Sequence, residues 1–335
     1  MGFYDGMDKN SSAYDVTKLL NIPTVIILDA SGSYITLSAI LKGLKEYKKD
    51  NTINAVIFNH ISSKSHYELI RNQIKNDFDD IVCLGWIKSS LNTLDSTHLG
   101  LDLKHCDIDK IESLSKEVLE NIDIKKLEEI INIKKIKVEY PFEKVKKQNK
   151  HLAIVYDKNF SFLYHDNLEF FKEYFSKVTL VNSIKDEVIP KNTDTVFICG
   201  GYIETSDAYN RYKNSLNFQN SLIEHAKTKK IYAECAGLIL LGNSCDDKKM
   251  LGLLPLEFKL NSRFVRMGYY NNDLGITGHS FHYTSIKEAN NQEFTLYKKK
   301  NQNEIHGAFK KDNIFGTYLH TMIRANFNKI KSYLV

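Results

Sequence analysis

Three short apolar runs punctuate the first hundred residues: Thr24–Asp29 (TVIILD), Ala55–Phe58 (AVIF) and Ile81–Leu84 (IVCL). Each is too short for a helix, and each is continuous rather than alternating. That pattern predicts strands buried on both faces. Ser38–Tyr47 and Ser65–Ile74, between them, read as helices. Strands alternating with helices predict a mostly parallel sheet with right-handed crossovers. Residues 107–135 read as helical, with Leu114, Val118 and Leu119 on one face and Leu127, Ile130 and Ile131 following.

The pattern then breaks. Nine of the seventeen residues 134–150 are charged, and Pro141 ends any helix there. Alternation restarts beyond this stretch. Leu152–Tyr156, Thr179–Val181, Thr195–Cys199 and Ile231–Ala233 read as strands, and Asn167–Phe175 and Ser215–Lys227 as helices. After Met250 the chain turns β-rich, with a strand at Ile314–Leu319 and a closing helix near Ala325–Tyr333. The expected organisation is two α/β domains, residues 1–135 and 151–335, joined by a linker over 136–150.

Composition narrows the class. The 335 residues are 42% hydrophobic and 26% charged, ordinary for a globular protein. The net charge of +5 leaves 46 basic against 41 acidic residues, with Lys spread along the chain. No nucleic-acid partner is expected from such a balance. No apolar run reaches the length of a membrane helix, and the N-terminus lacks a signal-peptide pattern, so no membrane partner and a cytoplasmic location are expected. The five cysteines, Cys83, Cys106, Cys199, Cys235 and Cys245, fit free thiols in a reducing compartment. No CxxC pair or Cys/His knuckle is present, so no zinc site is expected.

Candidate chemistry lies in the second half. IYAECAGLILLG (231–242) places Cys235 where a strand ends and a helix begins, flanked by Ala233, Ala236 and Gly237. Such a turn projects a nucleophile clear of the sheet and aims the next N–H groups at it. Those groups lower a thiol pKa and bind an oxyanion. Taken locally, a lone cysteine in an apolar run is more often a packed core thiol than a nucleophile. His320, after the strand at Ile314–Leu319, is a candidate base or simply a polar strand end. Gly200–Gly201, after the strand of VFICGGYIE (196–204), offers backbone donors or a plain turn.

Together, in order, GGYIE (200–204), AECAG (233–237), GHSFHY (278–283) and TYLH (317–320) resemble the class I type of glutamine amidotransferase domain, in its corrinoid branch. The resemblance implies that Cys235 attacks the side-chain amide of glutamine, that His320 assists proton transfer, and that ammonia leaves a glutamyl thioester. It implies an oxyanion hole from Gly200, Gly201 and Ala236, with Tyr202, Glu204, His279 and His282 as further motif residues. Ala236 stands where glycine is usual, Ile203 where proline is, and Ser280 where glutamate is. No acidic residue lies two positions after His320, so a Cys-His pair is expected rather than a triad.

The first half resembles the cobyrinic acid a,c-diamide synthase family through MGFYDG (1–6), SSAYDVTKLLNIPTVIILDASGS (11–33), NAVIFNHISSKSHYELI (54–70) and HLGL (98–101). The implied fold is a P-loop, dethiobiotin-synthetase-like parallel-sheet domain followed by the amidotransferase domain. The implied reaction is ATP- and Mg2+-dependent amidation, through an acyl phosphate, of the a- and c-side-chain carboxylates of a cobyrinic acid-like tetrapyrrole. Asp5, Asp29 and His98 are the candidates on that side. No protein-built metal site is implied. The sequence holds no G-x-x-x-x-G-K-[ST] loop. On the resemblance, the chain is expected to start inside the synthetase domain and to be ATP-incompetent alone. A misplaced start, a split or degraded gene, and a separate completing chain all remain open. Open alternatives for function are amidation of hydrogenobyrinic acid or nickel sirohydrochlorin, and a non-catalytic binding subunit.

Overall fold

A computed structural model describes residues 2–6, 10–91, 96–97, 100–101, 108–133, 139–140, 142–287, 292–298 and 304–335. The chain is α/β throughout and divides into two compact units, Met1–Tyr140 and Pro141–Val335. No helix among the described residues is long and apolar enough to cross a membrane.

Unit 1 runs α1 (Ala13–Leu20), β1 (Thr24–Asp29), α2 (Ile35–Tyr47), β2 (Ile53–Ile61), α3 (Lys64–Asp77), β3 (Val82–Lys88), the two-residue strands β4 (Ser96–Thr97) and β5 (Gly100–Leu101), α4 (Ile108–Asn121) and α5 (Ile124–Ile131). The strands β1-β2-β3 form a parallel sheet in that order. Helix α1 was not read from the pattern, though Ser12 and Asp15 make a reciprocal capping box at its start. The single helix expected over 107–135 is two. Ile122 bridges to Gly85, and Asp123 caps α5 by accepting from the Lys126 N–H at 2.9 Å. The double burial expected of β1 is also corrected. Its inward residues Ile26 and Leu28 are buried, but Ile27 is 66% exposed, because β1 lies at an edge of this sheet.

Unit 2 runs β6 (Gln148–Val155), α6 (His165–Tyr174), β7 (Phe175–Val181), β8 (Thr195–Ile198), α7 (Ser206–Tyr212), α8 (Leu216–Ala226), β9 (Lys230–Glu234) and α9 (Ala236–Leu241). Then come β10 (Ser244–Cys245), β11 (Lys248–Lys249), β12 (Glu257–Leu260), β13 (Arg266–Asn271), β14 (Thr277–His282), β15 (Thr284–Ile286), β16 (Gln292–Tyr297), β17 (Glu304–Lys311), β18 (Ile314–Thr317), β19 (His320–Thr321) and α10 (Ile323–Leu334). One ten-stranded sheet is ordered β19-β14-β13-β16-β17-β18-β9-β8-β6-β7. Its β7-to-β18 half is parallel. The rest is antiparallel.

Successive strand residues face opposite sides, and the two faces of the parallel half are filled differently. Phe197 of β8 stacks on Tyr232 of β9, Tyr232 meets Phe315 of β18, and Phe315 stacks on Tyr333 of α10. The next residue of β18, Gly316, turns the other way, toward Leu238 of α9. Helices α9 and α10 thus cover opposite faces, and β8 and the end of β9 are wholly buried.

Candidate active site

The site grows from the end of β9. Glu234 closes the strand, Cys235 turns the chain, and α9 starts at Ala236. Cys235 has φ 57° and ψ −113°, a conformation that non-glycine residues seldom adopt and that costs on the order of 1–3 kcal/mol. The surroundings hold it there: its N–H donates to the Thr317 carbonyl at 2.8 Å, and its own carbonyl accepts from Ile239. This is the strained strand-to-helix elbow that the small flanking residues suggested.

Backbone donors converge on the sulfur. The N–H groups of Gly201 and Ala236 both act on the Cys235 thiol to lower its pKa. Gly200 is required by contact: a Cβ there would fall on Cε1 of His320 and come within 3.1 Å of the Cys235 Cβ. At Gly201 a Cβ would collide with the Asn159 carbonyl, which accepts from the Tyr202 N–H at 2.9 Å. Asn159 is itself held by the Asp157 carboxylate (2.8 Å to its N–H), by Arg211 and by the Ala208 carbonyl. Asp157, Asn159 and Arg211 therefore seat the glycine turn. The sequence reading missed them, although the Asp-Lys-Asn run is an Asx-turn signal.

Two histidines stand beside the thiol. Nδ1 of His282 lies 3.9 Å from Sγ. His320 and His282 are nearly parallel, with ring centroids 6.1 Å apart. Their positions follow from strand pairing: β14 ends at His282, and β19 pairs with β14 so that His279 faces His320. Phe162 closes over His320 edge-on at 4.3 Å, and its N–H donates to the Gly200 carbonyl. His282 packs edge-on against Tyr318, whose ring also meets the buried Arg266 guanidinium at 3.8 Å. Ser280 donates to the Tyr318 carbonyl at 3.2 Å, a structural bond in place of the usual glutamate.

Burial dominates the electrostatics. Cys235, His282 and His320 are each less than 5% exposed. Burial pushes the thiol pKa well up, past the lowering by the Gly201 and Ala236 N–H groups. The elbow donors were expected to leave a depressed pKa; desolvation overturns that. Burial takes His320 down to about 3 and lowers His282 well below its ordinary range. The resting site is a neutral thiol beside neutral imidazoles. Burial also raises Glu204 to about 7 and Glu234 to about 8. Oε2 of Glu204 has no hydrogen-bond partner, whereas Glu234 accepts from the Thr321 N–H at 3.1 Å.

The remaining predicted residues divide between the units. Half-buried Tyr202 lies in the glycine turn, its carbonyl accepting from Thr205. His279 is half-buried, with its ring 5.4 Å from that of exposed Tyr269. In unit 1, Asp5 accepts from the Gly2 N–H at 2.9 Å and is exposed. Asp29, at the end of β1, accepts from the Ser31 N–H and hydroxyl and pairs with His60 at 3.0 Å. The Ser31 bonds, then His60, hold it at about 2. His98, Met1, Cys106 and the linker positions 134–138 and 141 lie outside the described residues. Among the described residues, the group of His, Cys, Asp and Glu close enough to share a metal is Cys235, His282 and His320.

The CobB/CobQ-like glutamine amidotransferase domain family matches residues 151–327. A cobyrinate a,c-diamide synthase of Fusobacterium nucleatum is 30% identical, over 95% of this chain and 80% of its own. One from Limosilactobacillus reuteri is 30% identical over 97% of this chain and 77% of its own. One from Methanococcus maripaludis is 28% identical over 95% and 77%. A solved glutamine amidotransferase from Thermotoga maritima overlaps 55% of this chain and 84% of its own, at 13% identity and a TM-score of only 0.37.

Proposed function

The chain belongs to the cobyrinate a,c-diamide synthase family, glutamine-dependent amide-forming ligases, and on that premise we propose that unit 2 cleaves glutamine at Cys235. The observation that supports this most is the convergence on one sulfur of a strained elbow, two backbone N–H donors and two imidazoles.

The neutral resting state shapes the chemistry. Sγ attacks the side-chain carbonyl carbon of glutamine as the thiol proton passes to an imidazole. His320 is the proposed acceptor, and His282, nearer in hydrogen-bonding terms, steadies the thiol. The Gly201 and Ala236 N–H groups then serve the developing oxyanion. The imidazolium returns its proton to the departing nitrogen, so ammonia leaves and a glutamyl thioester remains. Water hydrolyses the thioester to glutamate and restores the thiol. His320, depressed to about 3, is a poor base at rest, so the exchange depends on the oxyanion donors.

The ammonia is used on a tetrapyrrole carboxylate, with the a- and c-side chains of cobyrinic acid as the proposed acceptors. The carboxylate would take the γ-phosphoryl group of ATP, with ADP leaving, and ammonia would then attack the acyl carbon and expel phosphate to leave the amide. Mg2+ would enter with the nucleotide. No step is assigned to Asp5 or Asp29.

The test is glutamine hydrolysis by the purified chain, read as ammonia and glutamate released in equal amounts. Cys235→Ser is expected to abolish it and to prevent trapping of a glutamyl-enzyme. Unchanged hydrolysis by Cys235→Ser would remove the assignment, and a wild-type protein with no hydrolysis would favour a non-catalytic subunit.

A further inference from the structure

The catalytic trio has a second chemical reading. Cys235 follows β9, His282 ends β14 and His320 opens β19, so three distant segments bring one sulfur and two imidazoles together. The three ligand atoms lie within 4.8 Å of one another, and the Sγ–Nδ1 separation to His282 is 3.9 Å. A tetrahedral zinc ion with Zn–S of about 2.3 Å and Zn–N of about 2.0–2.1 Å holds its S and N ligands roughly 3.5 Å apart. Closing the trio onto such an ion needs displacements of about 1 Å or less, within the reach of χ rotations. Three protein ligands with a fourth position left to water is an ordinary zinc arrangement. A thiolate and two imidazoles favour Zn2+ or Co2+ over the hard cations Mg2+ and Ca2+.

We propose that Cys235, His282 and His320 form a site for a thiophilic divalent cation, Zn2+ foremost, and that its occupation silences glutamine cleavage. Binding replaces the thiol proton with the metal: hydrated Zn2+ and the Cys235 thiol give a Zn–S bond, and one proton goes to solvent. No electron moves. The metal takes the lone pairs that the nucleophile and base use. That inhibition rests on the glutaminase reading; the binding itself does not.

The structure also limits the affinity. His282 Nε2 is buried without a hydrogen-bond partner, so with Nδ1 on the metal its other nitrogen has no supporting acceptor. Such support is typically worth about 10–100-fold in affinity. The site therefore binds reversibly and is cleared by a chelator.

Co2+ is the probe. Chelator-treated protein titrated with Co2+ is expected to show one equivalent of tetrahedral Co2+ absorption with a thiolate charge-transfer band, displaced by Zn2+. Cys235→Ser should lose the charge-transfer band, and His282→Asn should weaken binding by about tenfold or more. Circular dichroism confirms that each variant is folded. In parallel, Zn2+ should stop ammonia release from glutamine, with recovery after EDTA. A charge-transfer band that persists in Cys235→Ser, or none at millimolar Co2+ in wild type, overturns the site. If Co2+ binds as expected but metal-free protein never cleaves glutamine, the metal site stands and the glutaminase reading falls.

Discussion

In unit 2, strands β6, β8 and β9 end in runs buried on both faces, and the aromatic row Phe197–Tyr232–Phe315–Tyr333 ties three of its strands to α10. In unit 1, β1 alternates between buried and exposed positions, and its carboxylate Asp29 stands at an open strand end. The same α/β grammar gives two different environments. A covered sheet end desolvates whatever chemistry it carries, which explains a thiol and two imidazoles held neutral. An open one leaves its carboxylate ionised and solvated. The amidotransferase chemistry is therefore concentrated at the covered end of the unit 2 sheet.

The strongest way to break this contrast is chemical. Cys235→Ser should lower glutamine hydrolysis by on the order of 10³-fold or more, whereas Asp29→Asn should leave it within about twofold. A glutaminase defect in Asp29→Asn would contradict the division of labour between the units.

Packing offers the next test. Phe197→Ala, in the aromatic row, should cost about 3–5 kcal/mol in chemical denaturation. Ile27→Ser on exposed β1 should cost about 0.5 kcal/mol or less. Trp86 is the only tryptophan and lies in unit 1, so its fluorescence follows that unit separately. Loss of the Trp86 transition in Phe197→Ala, rather than of the far-ultraviolet signal of unit 2, would reverse the expectation.

Glycine sharpens the comparison. Gly200→Ala drives a methyl into His320 and against Cys235, and a misplacement near 1 Å costs about 10²-fold in rate. Gly32→Ala, in the loop after β1, meets open space. Its φ of +59° leaves only a strain of about 1–2 kcal/mol and no change in hydrolysis. Kinetics of the two variants side by side check this.

The smallest effect is pH-dependent, and its sign differs between the units. Burial raises Glu234 from 4.5 to about 8, so its contribution to stability is present below about 4.5 and is lost as pH rises through about 8. Glu204, at about 7, acts in the same direction. Asp29 is lowered from 3.8 to about 2, so its contribution is present above 3.8 and lost as pH falls through about 2. Glu234→Gln should flatten the alkaline decline of unit 2, recovering on the order of 2 kcal/mol at neutral pH. Denaturation at pH 5 and pH 8 measures it; an unflattened decline would place the cause elsewhere.

Much of unit 2 was legible in the sequence because its strands are buried on both faces, and continuous apolar runs such as Leu152–Tyr156 report that directly. The β1 run misled for a related reason: a run of Val and Ile records β propensity, while burial depends on whether a neighbouring strand and helix are present. The break at Ile122–Asp123 was hidden because the apolar spacing continues across it; the bridge to Gly85 interrupts the helix. Seating of the glycine turn by Asp157, Asn159 and Arg211 was missed because Asp157 and Asn159 lie several elements before GGYIE and Arg211 lies after it, so that only the fold joins them.

By itself the sequence determined the α/β alternation of both units, the small-residue elbow around Cys235, and the ordered motifs that place the chain in its family. Those are local properties of spacing, side-chain size and propensity. Only the tertiary structure decided which imidazoles flank the sulfur, that the thiol rests protonated, and that a trio from positions 235, 282 and 320 can share one cation. Strand pairing between β14 and β19 and the summed desolvation by many distant side chains set those features, and neither is written in any one stretch of the chain.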